Sequence, residues 1–197
     1  ADEWTTGPVL DLGCGRGEWL KLLRDRGIHG LGIDTNAGQL SEARAHGLAV
    51  REGDALAFMR AEPEARYMAV TAFHIVEHLP FESLAEWMLE IRRILKPGGV
   101  VGVVQHRASE DTPDEWADGN AGYLKTSFVV EAFEAAGFEL EESSEVNANP
   151  ADDAGPGDIV WRLPPSFGTS EEGSAERAAF AEIGESDRMT LRFRKPE

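Results

Sequence analysis

Three groups of residues in this chain have the types and spacing for chemistry. The first is a glycine series at alternate positions, Gly13, Gly15 and Gly17, with Asp11 before it, Cys14 within it and Glu18 after it. Glycines in such a series let the backbone turn sharply and let a ligand come close to it. The second is a pair of carboxylates further on. Asp34 lies 21 residues after Gly13, and Asp54 sits in Glu52-Gly53-Asp54-Ala55. At the end of the second strand of a Rossmann-like unit, an acid accepts hydrogen bonds from ribose hydroxyls. The alternative for each aspartate is to cap the helix that follows it. The third group is His74, His78 and His106. A histidine near its unperturbed pKa suits general-base work, and a surface or capping role is the alternative.

His74-x-x-Glu77-His78 also matches an inverted zinc-protease pattern, which requires a helix that puts both imidazoles on one face. Here the five residues follow an apolar strand and precede Pro80, which disfavours a helix running through them. No metal site is expected.

Certain elements must position these groups. Val9–Leu12 is a short apolar run and reads as a buried strand. After the glycines, Trp19, Leu20, Leu22 and Leu23 alternate with charged residues at helical spacing, and Gly27 ends that helix. Strand, glycine turn and helix form the first unit of a nucleotide-binding α/β fold. Ile28–Asp34 reads as a second strand, Asn36–His46 as a helix and Leu48–Arg51 as a third strand. Ala55–Arg60 reads as a helix capped by Asp54, and Tyr67–Phe73 as the fourth strand. Phe81–Lys96 has helical spacing. Pro97-Gly98-Gly99 predicts a stop and a tight turn into a fifth strand, Val100–Val104. Gln105–Tyr123 is polar and reads as a loop at the carboxyl edge, where open α/β sheets bind ligands. Thr126 is expected to cap a helix over 127–136. Phe138–Val146 reads as an exposed acidic strand, Ala175–Ile183 as a helix and Met189–Arg194 as a last strand. No repeat is present, and one domain over 1–197 is expected, with an insertion at about 147–187.

Composition narrows the partners. Thirty-six acidic residues against 19 basic ones give a formal charge of −17, which disfavours a nucleic-acid substrate. Cys14 is the single cysteine, so an internal disulfide is impossible. No apolar run approaches a membrane span, so neither a membrane nor a secretory leader is expected, and the cytoplasm is the expected compartment.

A dinucleotide fingerprint places its third small residue where this chain has Glu18, so a nucleotide-dependent oxidoreductase is disfavoured. With Asp11 in front, Leu10-Asp11-Leu12-Gly13-Cys14-Gly15-Arg16-Gly17-Glu18 instead resembles the first motif of the class I S-adenosylmethionine (SAM)-dependent methyltransferases. Glu52-Gly53-Asp54-Ala55, Phe73-His74-Ile75-Val76-Glu77-His78-Leu79-Pro80 and Leu95-Lys96-Pro97-Gly98-Gly99 extend the resemblance. It is nearest to bacterial members acting on polysaccharides or small molecules. The second half resembles a bacterial family of methyltransferases of unknown substrate, through His106-Arg107-Ala108, Asn149-Pro150-Ala151-Asp152-Asp153 and Ser186 to Pro196.

The resemblance implies a Rossmann-like seven-stranded sheet of order 3-2-1-4-5-7-6. Strand seven would be antiparallel, and helices would cover both faces. It implies SAM as cofactor, S-adenosylhomocysteine as product and a small-molecule or glycan acceptor. It also implies a cofactor site of Asp11, Gly13, Cys14, Gly15, Gly17, Asp34, Thr35, Asp54, Ala55, Phe73 and His74, with Asp54 and a neighbouring amide at the adenine. His74 and His106 are the candidate catalytic residues. Arg107 and Tyr123 are the candidates for holding the acceptor. A SAM-binding but non-catalytic partner or regulatory domain is the competing reading.

Overall fold

The computed structural model describes residues 7–73 and 81–197, with side chains from residue 84 onward in the second stretch. The first half alternates strand and helix: β1 (Val9–Leu12), α1 (Glu18–Asp25), β2 (Gly30–Asp34), α2 (Ala37–Ala45), β3 (Val50–Glu52), α3 (Ala55–Ala61), β4 (Tyr67–Phe73) and α4 (Phe81–Ile94). The second half holds β5 (Leu95–Ala108), β6 (Leu124–Lys125), α5 (Thr126–Ala135), β7 (Glu139–Ser144), α6 (Ala175–Ile183) and β8 (Arg188–Arg194). A short 3-10 turn at Val160–Arg162 lies between β7 and α6.

The sheet runs β3-β2-β1-β4-β5-β8-β7, with β6 beside the end of β5. The strands from β3 to β5 pair in parallel, and β8 is antiparallel to both neighbours. The last strand of the chain is therefore inserted between the fifth and the edge strand, which is the expected methyltransferase order. The one addition to that order is β6, an eighth strand of two residues.

Alternation along the strands sends side chains to two layers. Leu10, Leu12, Val70, Val101, Val103, Leu191 and Phe193 meet Met59 of α3, Trp87, Met88 and Ile91 of α4, and Val129 and Phe133 of α5 in the main core. Phe133 stacks on Phe193 at 4.2 Å between ring centres. On the other face Val9 and Ala69 meet Leu20 and Leu23 of α1, with Leu40 and Ala43 of α2 in the same cluster. The acidic edge strand β7 is matched to the arginines of β8. Arg192 pairs with Glu141 at 2.8 Å and with Glu142 at 2.7 Å, and Arg194 also pairs with Glu141.

Three local expectations are corrected. The fifth strand runs from Leu95 to Ala108, beyond the expected Val100–Val104 at both ends. Pro97-Gly98-Gly99 is drawn into it because Gly98 N donates to Lys195 O and Lys195 N donates to Gly99 O. Lys195 Nζ meanwhile donates to Arg92 O and Leu95 O, which terminates α4 without a glycine stop. At the other end, Gln105–Ala108 extends the strand into the expected loop because β8 and β6 pair with it. Finally, Thr126 is the first residue of α5 rather than its cap. Lys125 occupies the cap position without a side-chain bond, and Glu110 takes the Ser127 amide and hydroxyl instead.

Candidate functional site

The site is built on the carboxyl ends of β1, β2, β3, β4 and β5. Leaving β1, the chain turns through Gly13, Gly15 and Gly17 with φ of 68°, 53° and 81°. A side chain is strained in that region of φ. At Gly17 a Cβ would also lie 2.6 Å from Leu48 Cδ1. The floor of the turn is tight as well. Gly32 of β2 faces Cys14, whose Sγ would be 2.4 Å from a Cβ at that position. Burial pushes the Cys14 thiol up to about 12, so it stays a packed neutral group.

Asp34 ties the glycine turn to the second unit. Its Oδ2 accepts from Gly15 N at 2.8 Å and its Oδ1 from Asn36 N at 2.7 Å. Asn36, not Asp34, caps α2, accepting from Gln39 N. That leaves the carboxylate as the join between the glycine turn and the start of α2, with lone pairs remaining for a further donor. Asp54 does cap its helix, accepting from Ala57 N at 2.7 Å, and its side chain is exposed. Thr35 is exposed at the turn after β2, and Ala55 is the buried first residue of α3.

Asp11 lies directly opposite Thr71 in the β1–β4 register and is 3% exposed. Burial pushes its carboxyl up to about 7. The Thr71 hydrogen bond opposes that rise, and Asp34 and Glu18 add to it. Phe73 closes β4, and its ring meets Trp19 of α1 edge-on at 5.5 Å. Thr71 and Trp19 were not singled out in the sequence. The available signal for Thr71 was a polar residue inside the apolar run Met68–Phe73. His74, Glu77 and His78 lie outside the described residues.

The other candidates gather across β5. His106 follows two residues beyond Val104, which is paired with Phe73. Its Nδ1 is 2.5 Å from Ser186 Oγ. It lines a cleft of about 310 Å³ with Trp161, Leu163, Pro164, Ser186 and Arg188. Arg107 points away into a two-pronged pair with Asp187 (2.7 and 2.9 Å) and bonds Glu145 at 3.0 Å. Those bonds raise its pKa further above the ordinary arginine value. Tyr123 is fully buried, and its hydroxyl contacts Asp152 Oδ2 at 2.9 Å and Arg162 at 2.9 Å. Burial first, and then Asp152, hold that hydroxyl protonated. Arg162 and Asp152 pair directly at 2.9 Å. Arg107 and Tyr123 thus anchor the 145–187 segment to the sheet, while His106 faces the cleft beneath it. Asp152 lies in one of the motifs that carry the resemblance, but sequence reading had no signal that it and Arg162 meet Tyr123, which happens only through folding. Among the described residues no cluster suited to a metal ion occurs.

A doubly wound sheet with a glycine turn after β1 and an acid after β2 defines a cofactor-binding α/β domain. Residues 4–143 match the sequence profile of a family described as a methyltransferase domain, so the chain belongs to that family of SAM-dependent methyltransferases. It is similar to a sterol 24-C-methyltransferase of Gibberella zeae, 32% identical over 176 residues, covering 79% of this chain and 44% of that protein. It is also similar to a ubiquinone biosynthesis O-methyltransferase of Hahella chejuensis, 37% identical over 97 residues, covering 46% and 39%. The chain thus spans less than half the length of these relatives. A SAM-dependent methyltransferase from Archaeoglobus fulgidus shares the fold (TM-score 0.63, 19% identity, 98% and 88% covered). A [4+2]-cyclase shares it too (TM-score 0.70, 23% identity, 98% and 76% covered), so the fold alone does not fix the reaction.

SAM is the cofactor of this family. The residues present suit it. Asp11, Glu18 and Asp34 set acidic groups at the glycine turn, with Asp34 bonded to Gly15 N, and SAM is a net cation whose ribose hydroxyls need acceptors. No helix among the described residues is long and apolar enough to cross a membrane.

Proposed function

We propose that this chain transfers a methyl group from SAM to a hydroxyl of a small-molecule acceptor. The observation that carries this is the position of His106. It stands at the carboxyl end of β5, two residues past the partner of Phe73, in a cleft beside the cofactor strands. When bound, SAM supplies an activated methyl group on a sulfonium. Gly13–Gly17 and Asp34 hold the adenosine, Asp54 with the Ala55 amide meets the adenine, and Phe73 with Trp19 keeps water from the reacting side. Asp11 offers a carboxylate to the cationic end. Ser186 sets the orientation of the His106 ring, and His106 Nε2 takes the proton from the acceptor hydroxyl. Arg107 and Tyr123 act at one remove, by fixing the segment that roofs the cleft.

Sterol and quinone-precursor enzymes among the relatives support a small, largely apolar acceptor over a glycan. The test is acceptor-dependent formation of S-adenosylhomocysteine from a panel of phenols, sterols and sugars. His106→Ala is expected to lower kcat on hydroxyl acceptors by roughly 10²–10⁴-fold, the usual span for a general base. SAM binding without turnover on any acceptor, together with unchanged behaviour of His106→Ala, would favour a non-catalytic SAM-binding partner.

A further inference from the structure

We propose that Asp152 is a positioning residue for His106. From behind the cleft it fixes the Ser186–Asp187 peptide and the Tyr123 ring, and through them it sets which imidazole nitrogen carries the proton. The proposal rests on the methyl-transfer reading and adds how the base of that reading is held ready.

Asp152 is a carboxylate in the interior, with its side chain fully buried. A charge taken out of water is costly unless it is paired and hydrogen-bonded. Here both oxygens are engaged. Oδ1 accepts from Arg162 Nη2 at 2.9 Å, and Oδ2 accepts from the Tyr123 hydroxyl at 2.9 Å and from Asp187 N at 3.0 Å. Arg162 Nη1 donates to the Tyr123 hydroxyl oxygen at 2.9 Å and closes the ring of bonds. A buried ion pair of this kind is weak evidence for stability, because apolar groups of similar volume often serve as well.

Each bond of Asp152 leads to a wall of the His106 cleft. Tyr123 meets the His106 ring edge-on, with ring centres 6.2 Å apart. Arg162 stands between Trp161 and Leu163, which both line the cleft. Asp187 follows Ser186, whose Oγ is 2.5 Å from His106 Nδ1. Arg107 grips the Asp187 carboxylate, and the Arg107 amide donates to the Asp187 carbonyl. Both of those grips lie beyond the Ser186–Asp187 peptide. The plane of that peptide is set by its N–H, which Asp152 takes. For His106 Nε2 to accept a proton, Nδ1 must carry the ring hydrogen and donate it to Ser186 Oγ. A serine hydroxyl can donate or accept, so the tautomer depends on where Ser186 Oγ is held.

The test is NMR of the full chain carrying nitrogen-15 histidine, with His106 assigned among the five histidines by the signals lost in His106→Asn. Two-bond proton–nitrogen spectra at about pH 8.5, above the unperturbed histidine pKa, report which ring nitrogen is protonated. The parent is expected to show Nδ1–H at His106. Asp152→Asn is expected to give a mixture of tautomers, since the amide must turn an N–H toward either Arg162 or Asp187. Asp158→Asn is the structural control. It weakens the other Arg162 ion pair, at 3.2 Å, without touching the bond to Asp187, and its His106 signals are expected to match the parent. Should Asp152→Asn not fold, Asp152→Leu with Arg162→Met replaces the pair by apolar groups and removes the same acceptor. It is expected to give the same mixture. In turnover, Asp152→Asn is expected to lower kcat on a hydroxyl acceptor by up to about 10²-fold with KM for SAM unchanged. Nδ1–H retained in folded Asp152→Asn or in the double variant would overturn the proposal. So would Nε2–H in the parent, or an equal change in Asp158→Asn. The expected tautomer response in a chain that methylates no acceptor would uphold the positioning and discard the methyl-transfer reading.

Discussion

Thr71 donates a 2.6 Å hydrogen bond to Asp11 Oδ1 across the β1–β4 pair, and both residues are buried beneath the glycine turn. With its carboxyl pushed up to about 7 by burial, Asp11 keeps a proton in the folded chain that the unfolded chain releases near pH 4. Between those values the folded state binds more protons than the unfolded state. Stability therefore falls as pH rises from about 4 to about 7, and stays level above that. Asp11→Asn removes the dependence while keeping an acceptor for Thr71. The variant is expected to match the parent near pH 4 and to exceed it above pH 7, by up to about 4 kcal/mol. Denaturant melts of both proteins at pH 4.5 and 8 check this, and parallel stability curves would count against it.

The same carboxyl links cofactor binding to pH. A cationic ligand beside the glycine turn favours the ionised form of Asp11, so binding releases a proton. Below pH 7 the affinity for SAM is expected to fall by up to about tenfold per pH unit, and above it to level off. Calorimetry in buffers of different ionisation enthalpy counts the proton directly. No proton release at pH 6.5 would separate Asp11 from the cofactor.

Gly17 sits at φ 81° with Leu48 against it. Gly17→Val both strains the backbone and drives a side chain into the α1–α2 core. A loss of roughly 2–4 kcal/mol in stability is expected, combining the φ penalty with overpacking. Residual folded protein should bind SAM poorly, because the turn is displaced. A variant that melts like the parent would show that the turn tolerates a side chain.

Removing 188–197 deletes β8, which lies between β5 and β7 in the sheet order, and with it the buried Met189, Leu191 and Phe193. It also removes the Lys195 ammonium from the end of α4. The truncated chain is expected to be insoluble or to melt without cooperativity. A soluble truncation with a sharp transition would contradict the central position of β8.

Much of this was legible in the sequence because the decisive signals are local. Val9–Leu12 and Tyr67–Phe73 are largely buried strands, so they read as apolar runs, each interrupted by a single polar residue, Asp11 and Thr71. Asn36–His46 and Ala175–Ile183 carry their own boundary residues. The glycine turn and Asp34 follow from spacing alone. What was missed depends on distant partners. Gln105–Ala108 is polar and became strand only because β8 lies beside it. Lys96–Gly99 has the composition of a helix stop, yet Lys195 pairs it into β5. Leu124–Lys125 is too short to carry any period. Arg107 and Tyr123 are candidates for holding the acceptor in the sequence, and nothing local reveals their bonds to Asp187, Asp152 and Arg162.

The most direct test of the central claim is calorimetric titration of the chain with SAM, S-adenosylhomocysteine and NAD, repeated on Asp34→Ala. The carboxylate joins the Gly15 and Asn36 amides, and the proposed reading assigns it the ribose hydroxyls. The account predicts binding of SAM and S-adenosylhomocysteine, none of NAD, and a loss of roughly 1.5–3 kcal/mol in SAM affinity for Asp34→Ala, the range for a hydrogen bond to a charged group. NAD binding as tight as SAM, or an Asp34→Ala affinity within twofold of the parent, would contradict it.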